Sequence, residues 1–195
     1  MEEMVTLWTR QDERSLRDLE KLGVFRNRER YIRDYYEDVA DHFIYLYRWF
    51  SDAAAKRVPR PDGVEFHIWC SISHESMLRP IPGTVGYKLQ IPKSKVIYLD
   101  GGKWDFVLNH IYIPRDSADQ AAYLKDIEKK GFKDQFNFIE GKYSRLYPQE
   151  RKRVMDSWER VFEIDNWNIF TTQANIWEIR PEDILEVYRY EDDGF

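Results

Sequence analysis

Residues 169–190 read IFTTQANIWEIRPEDILEVYRY. The segment holds two runs of β-branched and aromatic residues joined by Arg180-Pro181-Glu182-Asp183, a combination that turns a chain. It predicts two strands at the C-terminal end. Strand alternation puts Thr171, Gln173, Asn175 and Trp177 on one face of the first run, and Thr172, Ala174, Ile176 and Glu178 on the other. The first set suits a wet wall with an aromatic end, and Gln173 is its expected working residue.

Upstream, residues 4–10 predict another short strand. Asp12 is placed to cap a helix running to Leu22, with Gly23 as its stop. Ile32, Tyr36, Val39, Phe43, Leu46 and Phe50 step by three and four, which predicts one long amphipathic helix. The VPRPDG stretch at 58–63 then turns the chain. VEFHIWCSIS (64–73), TVGYKLQIP (84–92) and KVIYLD (95–100) read as strands, with Arg79 flanked by prolines in the loop between the first two.

Gly101-Gly102 reads as a turn before the short amphipathic segment 103–111. Ser117 and Gln120 have capping-box spacing, and Pro148 suits the first position of a helix carrying Val154, Trp158 and Val161 on one face. With strands at the start, middle and end, and helices at the start and after residue 100, the expected fold is α+β. One domain over residues 1–190 is expected, with a central, mostly antiparallel sheet on which helices from the N-terminal and C-terminal halves pack. Residues 191–195 read as a frayed acidic tail.

Composition narrows the functions. A hydrophobic fraction of 43% over 195 residues argues for a folded core rather than disorder. The net charge of −5 argues against an extended nucleic-acid surface, since phosphate contacts need a positive face. One cysteine, Cys70, forms no internal disulfide, and the start of the chain has no basic region followed by an apolar one. No apolar run reaches membrane-spanning length, so no membrane association and a cytoplasmic setting are the expectations.

His67, Cys70 and His74 invite comparison with a metal set, but strand alternation separates His67 from Cys70 and the spacing matches no ligand motif. No metal site is expected. The four arginines of RNRERYIR (26–33) are interleaved with and followed by acids, as on a solvated helix face. Trp8 and Arg10 share one face of the first strand, with Leu7 and Thr9 on the other. An arginine beside an aromatic ring can hold a phosphate or stack on a ring. Trp8, Trp69, Trp104 and Trp177 supply candidate stacking surfaces.

The motifs LWTRQ (7–11), YLYRWF (45–50), HIWCSIS (67–73), YLDGGKWDFVLNHIYIP (98–114), SWERVF (157–162) and TTQANIWEI (171–179), in that order, resemble a bacterial family of unknown function, domain of unknown function 3841. That resemblance implies no activity. At the level of fold, residues 7–25 and 171–179 are similar to the opening and closing segments of ADP-ribosyltransferase-like domains. This second resemblance implies that Arg10, with Thr9 beside it, holds a phosphate or ribose, and that Trp8 or Tyr87 stacks on nicotinamide. It implies that Gln173 and Asn175 meet the ribose, with Arg79 among the binding residues. NAD would be the substrate rather than a resident cofactor. The family's catalytic glutamate is replaced here by Asn175, and Glu178 is the nearest substitute. The alternative is a binding module whose tryptophans hold a nucleotide, modified base or peptide without chemistry.

Overall fold

The computed structural model describes residues 2–132, 138–141 and 143–190; the tail expected at 191–195 lies outside them. The elements in chain order are β1 (Met4–Asp12), α1 (Arg14–Leu22), α2 (Glu29–Tyr36), α3 (Ala40–Ala55), β2 (Ile68–Ser71), β3 (Thr84–Pro92), β4 (Ile97–Asp100), α4 (Gly101–Leu108), α5 (Ser117–Lys129), α6 (Pro148–Ser157), β5 (Thr172–Ile176) and β6 (Ile184–Arg189). This is an α+β architecture. One six-stranded sheet runs in the order β4-β5-β2-β1-β3-β6, and the pairings of β1 with β2 and β3, β2 with β5, and β3 with β6 are antiparallel. Contacts cluster the chain into two compact units, Met1–Tyr98 with Trp167–Phe195, and Leu99–Asn166.

In the first unit, one face of the sheet is the core. Leu7, Cys70, Leu89, Ala174 and Ile176 point to it and are almost fully buried, and Leu16 and Leu19 of α1 pack against them. Each large apolar side chain so buried contributes roughly 1.5–3 kcal/mol. Burial pushes the Cys70 thiol up to about 12, so it stays protonated and behaves as a small hydrophobe. α1 stops where expected, with Gly23 in the left-handed conformation at φ 67°. Its first turn is served by Asp12, whose Oδ1 accepts the Arg14 N–H at 2.8 Å.

The single helix expected from residue 32 to residue 50 is broken. Glu37 sits at φ 47°, where a non-glycine residue is strained, and α2 ends there. The break folds Tyr36 back onto α3: its ring stacks on Phe43 at 3.6 Å and its hydroxyl lies 2.8 Å from that of Tyr47. Val39, expected on the buried stripe, is 55% exposed as a result. Four further corrections are local. β2 covers only four of the ten residues read as a strand. Gly101-Gly102 forms the first turn of α4, capped by Asp100, rather than a separate turn. Asp116, not Ser117, caps α5, accepting the Asp119 N–H at 2.8 Å. Trp158 lies beyond α6 in a 3-10 turn.

The second unit is helical. Trp158 is fully buried there, with its indole N–H donated to the Ile111 carbonyl at 2.9 Å, and the Tyr112 and Tyr123 rings stack at 4.2 Å.

Candidate functional site

The face of the sheet opposite the core carries an unusual set of side chains. Register fixes their neighbours: Trp8 pairs with Lys88 on one side and Ser71 on the other, Ser71 pairs with Gln173, and Trp69 pairs with Asn175. Directly opposed residues share a face, so Trp8, Ser71 and Gln173 form one row across three strands, with Trp69 and Asn175 in the row beside it. Trp8 and Trp69 are diagonal neighbours, whose Cβ atoms lie about 7 Å apart in such a pair. Both indoles are half-buried, as are Ser71 and Gln173.

Trp69 is fixed by α3, packing against the rings of Phe50 at 5.4 Å and Tyr47 at 5.9 Å. Trp8 meets the exposed His74 edge-on at 6.1 Å. Arg10 lies on the same face as Trp8; its guanidinium donates to the Arg79 carbonyl at 3.1 Å and to the Tyr35 hydroxyl of α2 at 3.4 Å. Gly86, opposite Arg10, makes the first of these contacts possible. A Cβ at Gly86 would come within 3.3 Å of Pro80 Cγ and 3.2 Å of Tyr188 Cβ, so the missing side chain lets the Arg79-Pro80 segment lie against the sheet.

Two polar groups on this side of the sheet are buried without full satisfaction. Asn175 is fully buried, and neither its Oδ1 nor its Nδ2 has a partner among the described residues. His67 is also fully buried; Nδ1 lies 2.9 Å from Ser51 Oγ, while Nε2 has no partner among the described residues. Burial lowers the His67 imidazole to about 3, so it is neutral near pH 7. An unmatched buried amide costs of the order of 1–3 kcal/mol, and retaining one marks a place where something other than stability is served.

The other residues expected at a site fall elsewhere. Tyr87 is fully buried on the core face, its hydroxyl 2.7 Å from Ser15 Oγ of α1, so its ring offers no stacking surface. Thr9 is on that face too; its hydroxyl donates to the Trp69 carbonyl at 2.6 Å and accepts from Gln11, and so braces β2 instead of meeting a ligand. Arg79 is exposed and reaches Arg10 through its backbone. Trp104 and Trp177 are buried, the latter donating to the Val58 carbonyl at 3.1 Å. His67 and Cys70 lie on opposite faces, as alternation requires.

Glu178 departs most from its expected role. A bridge between Phe25 and Ile179, with both backbone hydrogen bonds at 2.8 and 3.0 Å, brings the flanking Arg26 and Glu178 together. Arg26 and Arg180 hold the carboxylate at 2.9 and 2.7 Å. Burial would raise its pKa, but hydrogen bonds from Arg180 and Arg26 outweigh that and keep it below the ordinary range. It lines a cavity of about 160 Å³ with Trp177, Arg180 and Asp183, a lining that includes none of Trp8, Trp69, Ser71 and Gln173.

Trp69 was among the expected stacking surfaces, whereas Ser71 and Tyr35 are site residues that reading the sequence did not single out. The signal for Ser71 was present, since a period of two along HIWCSIS puts it with Trp69 on the face away from Cys70.

Fold and face together define an α+β protein that presents a half-buried aromatic and polar surface on one side of an antiparallel sheet. The chain belongs to the family described as domain of unknown function (DUF3841), whose profile matches residues 6–185. No curated protein and no solved structure matches it. Among the described residues, no helix is long and apolar enough to cross a membrane.

Proposed function

We propose that the unit formed by residues 2–98 and 167–190 is a binding module for a small ligand with a planar ring and hydroxyl groups, such as a nucleoside or nucleotide. The observation that carries this reading is the buried, unpartnered amide of Asn175 paired across the sheet with half-buried Trp69, beside Trp8, Ser71 and Gln173. The indoles supply a stacking surface, and the amides and hydroxyl supply donors and acceptors for ribose or a base edge. Arg10 adds one positive charge at the margin.

Binding without group transfer fits this face better than ADP-ribosyl transfer. An oxocarbenium-like centre needs a nearby carboxylate, and Glu178 is held by Arg26 and Arg180. Tryptophan fluorescence and calorimetry with adenosine and with NAD test the reading. Saturable binding is expected, weakened by about 1–3 kcal/mol in Trp8→Ala. Asn175→Leu is expected to lose binding while leaving the protein as stable or about 1 kcal/mol more so, because it removes an unmatched buried amide. Binding unchanged by both variants would refute the site, and release of nicotinamide from NAD would refute the non-catalytic reading.

A further inference from the structure

The second unit has a feature that the net charge of the chain conceals. Arg115, Lys152, Arg153 and Arg160 line an open cavity of about 430 Å³, against a single acid, Asp156. Tyr112, Gln149 and Ser157 complete the lining. Every one of these residues lies within 99–166, and the feature is independent of the sheet face described above.

Acids hold three of these cations in place: Lys152 bonds Asp156 of the lining at 2.5 Å, and Arg153 and Arg160 meet acids outside it. Arg153 bonds Asp126 at 2.6 Å and stands 4.8 Å over the Tyr123 ring. Arg160, with only 14% of its side chain exposed, donates Nη1 to the Ile113 carbonyl, lies 3.6 Å from Asp119 and stands 5.4 Å over the Tyr112 ring. Its Nη2 and Nε donors have no partner among the described residues, nor does the exposed guanidinium of Arg115. A hydrogen bond from the Arg115 backbone, burial notwithstanding, keeps Asp119 ionised below the ordinary carboxylate range. These contacts fix the Arg153 and Arg160 forks before any ligand arrives, which reduces the ordering cost of binding there.

We infer that this cavity binds a phosphate monoester of a small soluble molecule, its phosphate gripped by Arg115, Lys152 and Arg160. Arginine forks suit phosphate oxygens bidentately, and the exposed Arg115 guanidinium with the Nη2 and Nε donors of Arg160 presents donors that no acid among the described residues occupies. The volume falls in the range of small-molecule sites and exceeds what phosphate alone fills, leaving room for an organic group beside Tyr112. A long polyanion fits less well, because the protein as a whole carries a charge of −5.

Calorimetric titration of the full chain with phenyl phosphate, inorganic phosphate and a single-stranded RNA oligonucleotide at low salt tests this. Phenyl phosphate is expected to bind saturably, more tightly than inorganic phosphate, and to weaken as salt is raised. Arg115→Ala and Lys152→Ala, both exposed, should each weaken it about fivefold or more with the melting temperature unchanged. Arg160→Lys, which keeps the charge but not the fork, should weaken it as well. No saturable binding, affinities within about twofold of the parent in both alanine variants, or equal affinity for inorganic phosphate would overturn the inference. Tighter binding of the RNA would overturn it in favour of a polyanion site.

Discussion

His67 shows how much one side chain can reveal about its surroundings. The ring is enclosed by Phe50 at 4.4 Å, Tyr47 at 5.1 Å and Trp69 at 4.9 Å, with one polar contact to Ser51. Its pKa falls to about 3 through burial alone. In the unfolded chain an ordinary histidine titrates near 6.5, so below that pH the unfolded state takes up a proton that the folded state refuses. The neutral ring therefore contributes stability that is present above about pH 6.5 and drains away at up to about 1.4 kcal/mol per pH unit as pH falls toward 3. Urea unfolding at pH 7, 6 and 5 should show this slope, and His67→Gln should flatten it. A slope unaltered by the substitution would mean that the carboxylates dominate. Adjacent Asn175 is the companion case, a buried polar group whose cost shows no structural return.

Among the elements, the junction between α2 and α3 carries the clearest local conflict. Glu37 is exposed at φ 47°, and nothing in its side chain requires that conformation; the gain accrues to Tyr36 against Phe43 and Tyr47. Strain of this kind costs of the order of 1–3 kcal/mol, and glycine would relieve it while adding under about 1 kcal/mol of unfolded-state entropy. Glu37→Gly is accordingly expected to raise stability by up to about 1 kcal/mol in chemical unfolding. A loss of stability would show that the junction is not strained.

This junction also shows where reading the sequence stops. The apolar spacing from Ile32 to Phe50 continues through the break, because a stripe records which residues prefer burial and not where the backbone turns. β1, β3, β4 and α1 were legible, since alternation and Gly23 act locally. At the site, alternation correctly grouped Gln173 with Asn175 and Trp8 with Arg10. It could not say which face of the sheet α1 would cover; Tyr87 and Thr9, expected at a ligand from the resemblance to ADP-ribosyltransferase-like domains, belong to the core. Nor could it foresee the Phe25–Ile179 bridge that gives Glu178 to Arg26.

For the whole molecule, strand order sets the expectation for folding. β1 forms its longest pairing with β3, Met4 opposite Pro92 through Asp12 opposite Thr84, and β2 pairs with β5 across the whole segment 72–171. Loops of this length carry a closure entropy that must be met before the paired strands contribute anything. Stopped-flow refolding should accordingly show relaxation in milliseconds to seconds, not the microseconds of a helical bundle of similar size. A microsecond phase accounting for the full amplitude would mean that the sheet is not the rate-limiting structure.

The same pairing has a consequence for a chain leaving the ribosome. Trp8 and Trp69 emerge about a hundred residues or more before Gln173 and Asn175, which complete their rows. Until residues 172–176 have emerged, one edge of β2 lacks its partner and Trp69 stands without the strand that flanks it. A chain stalled or cleaved before residue 172 would therefore carry an open strand edge, an invitation to quality-control machinery, and no competent site. Emergence of β5 is the step that closes the edge of β2.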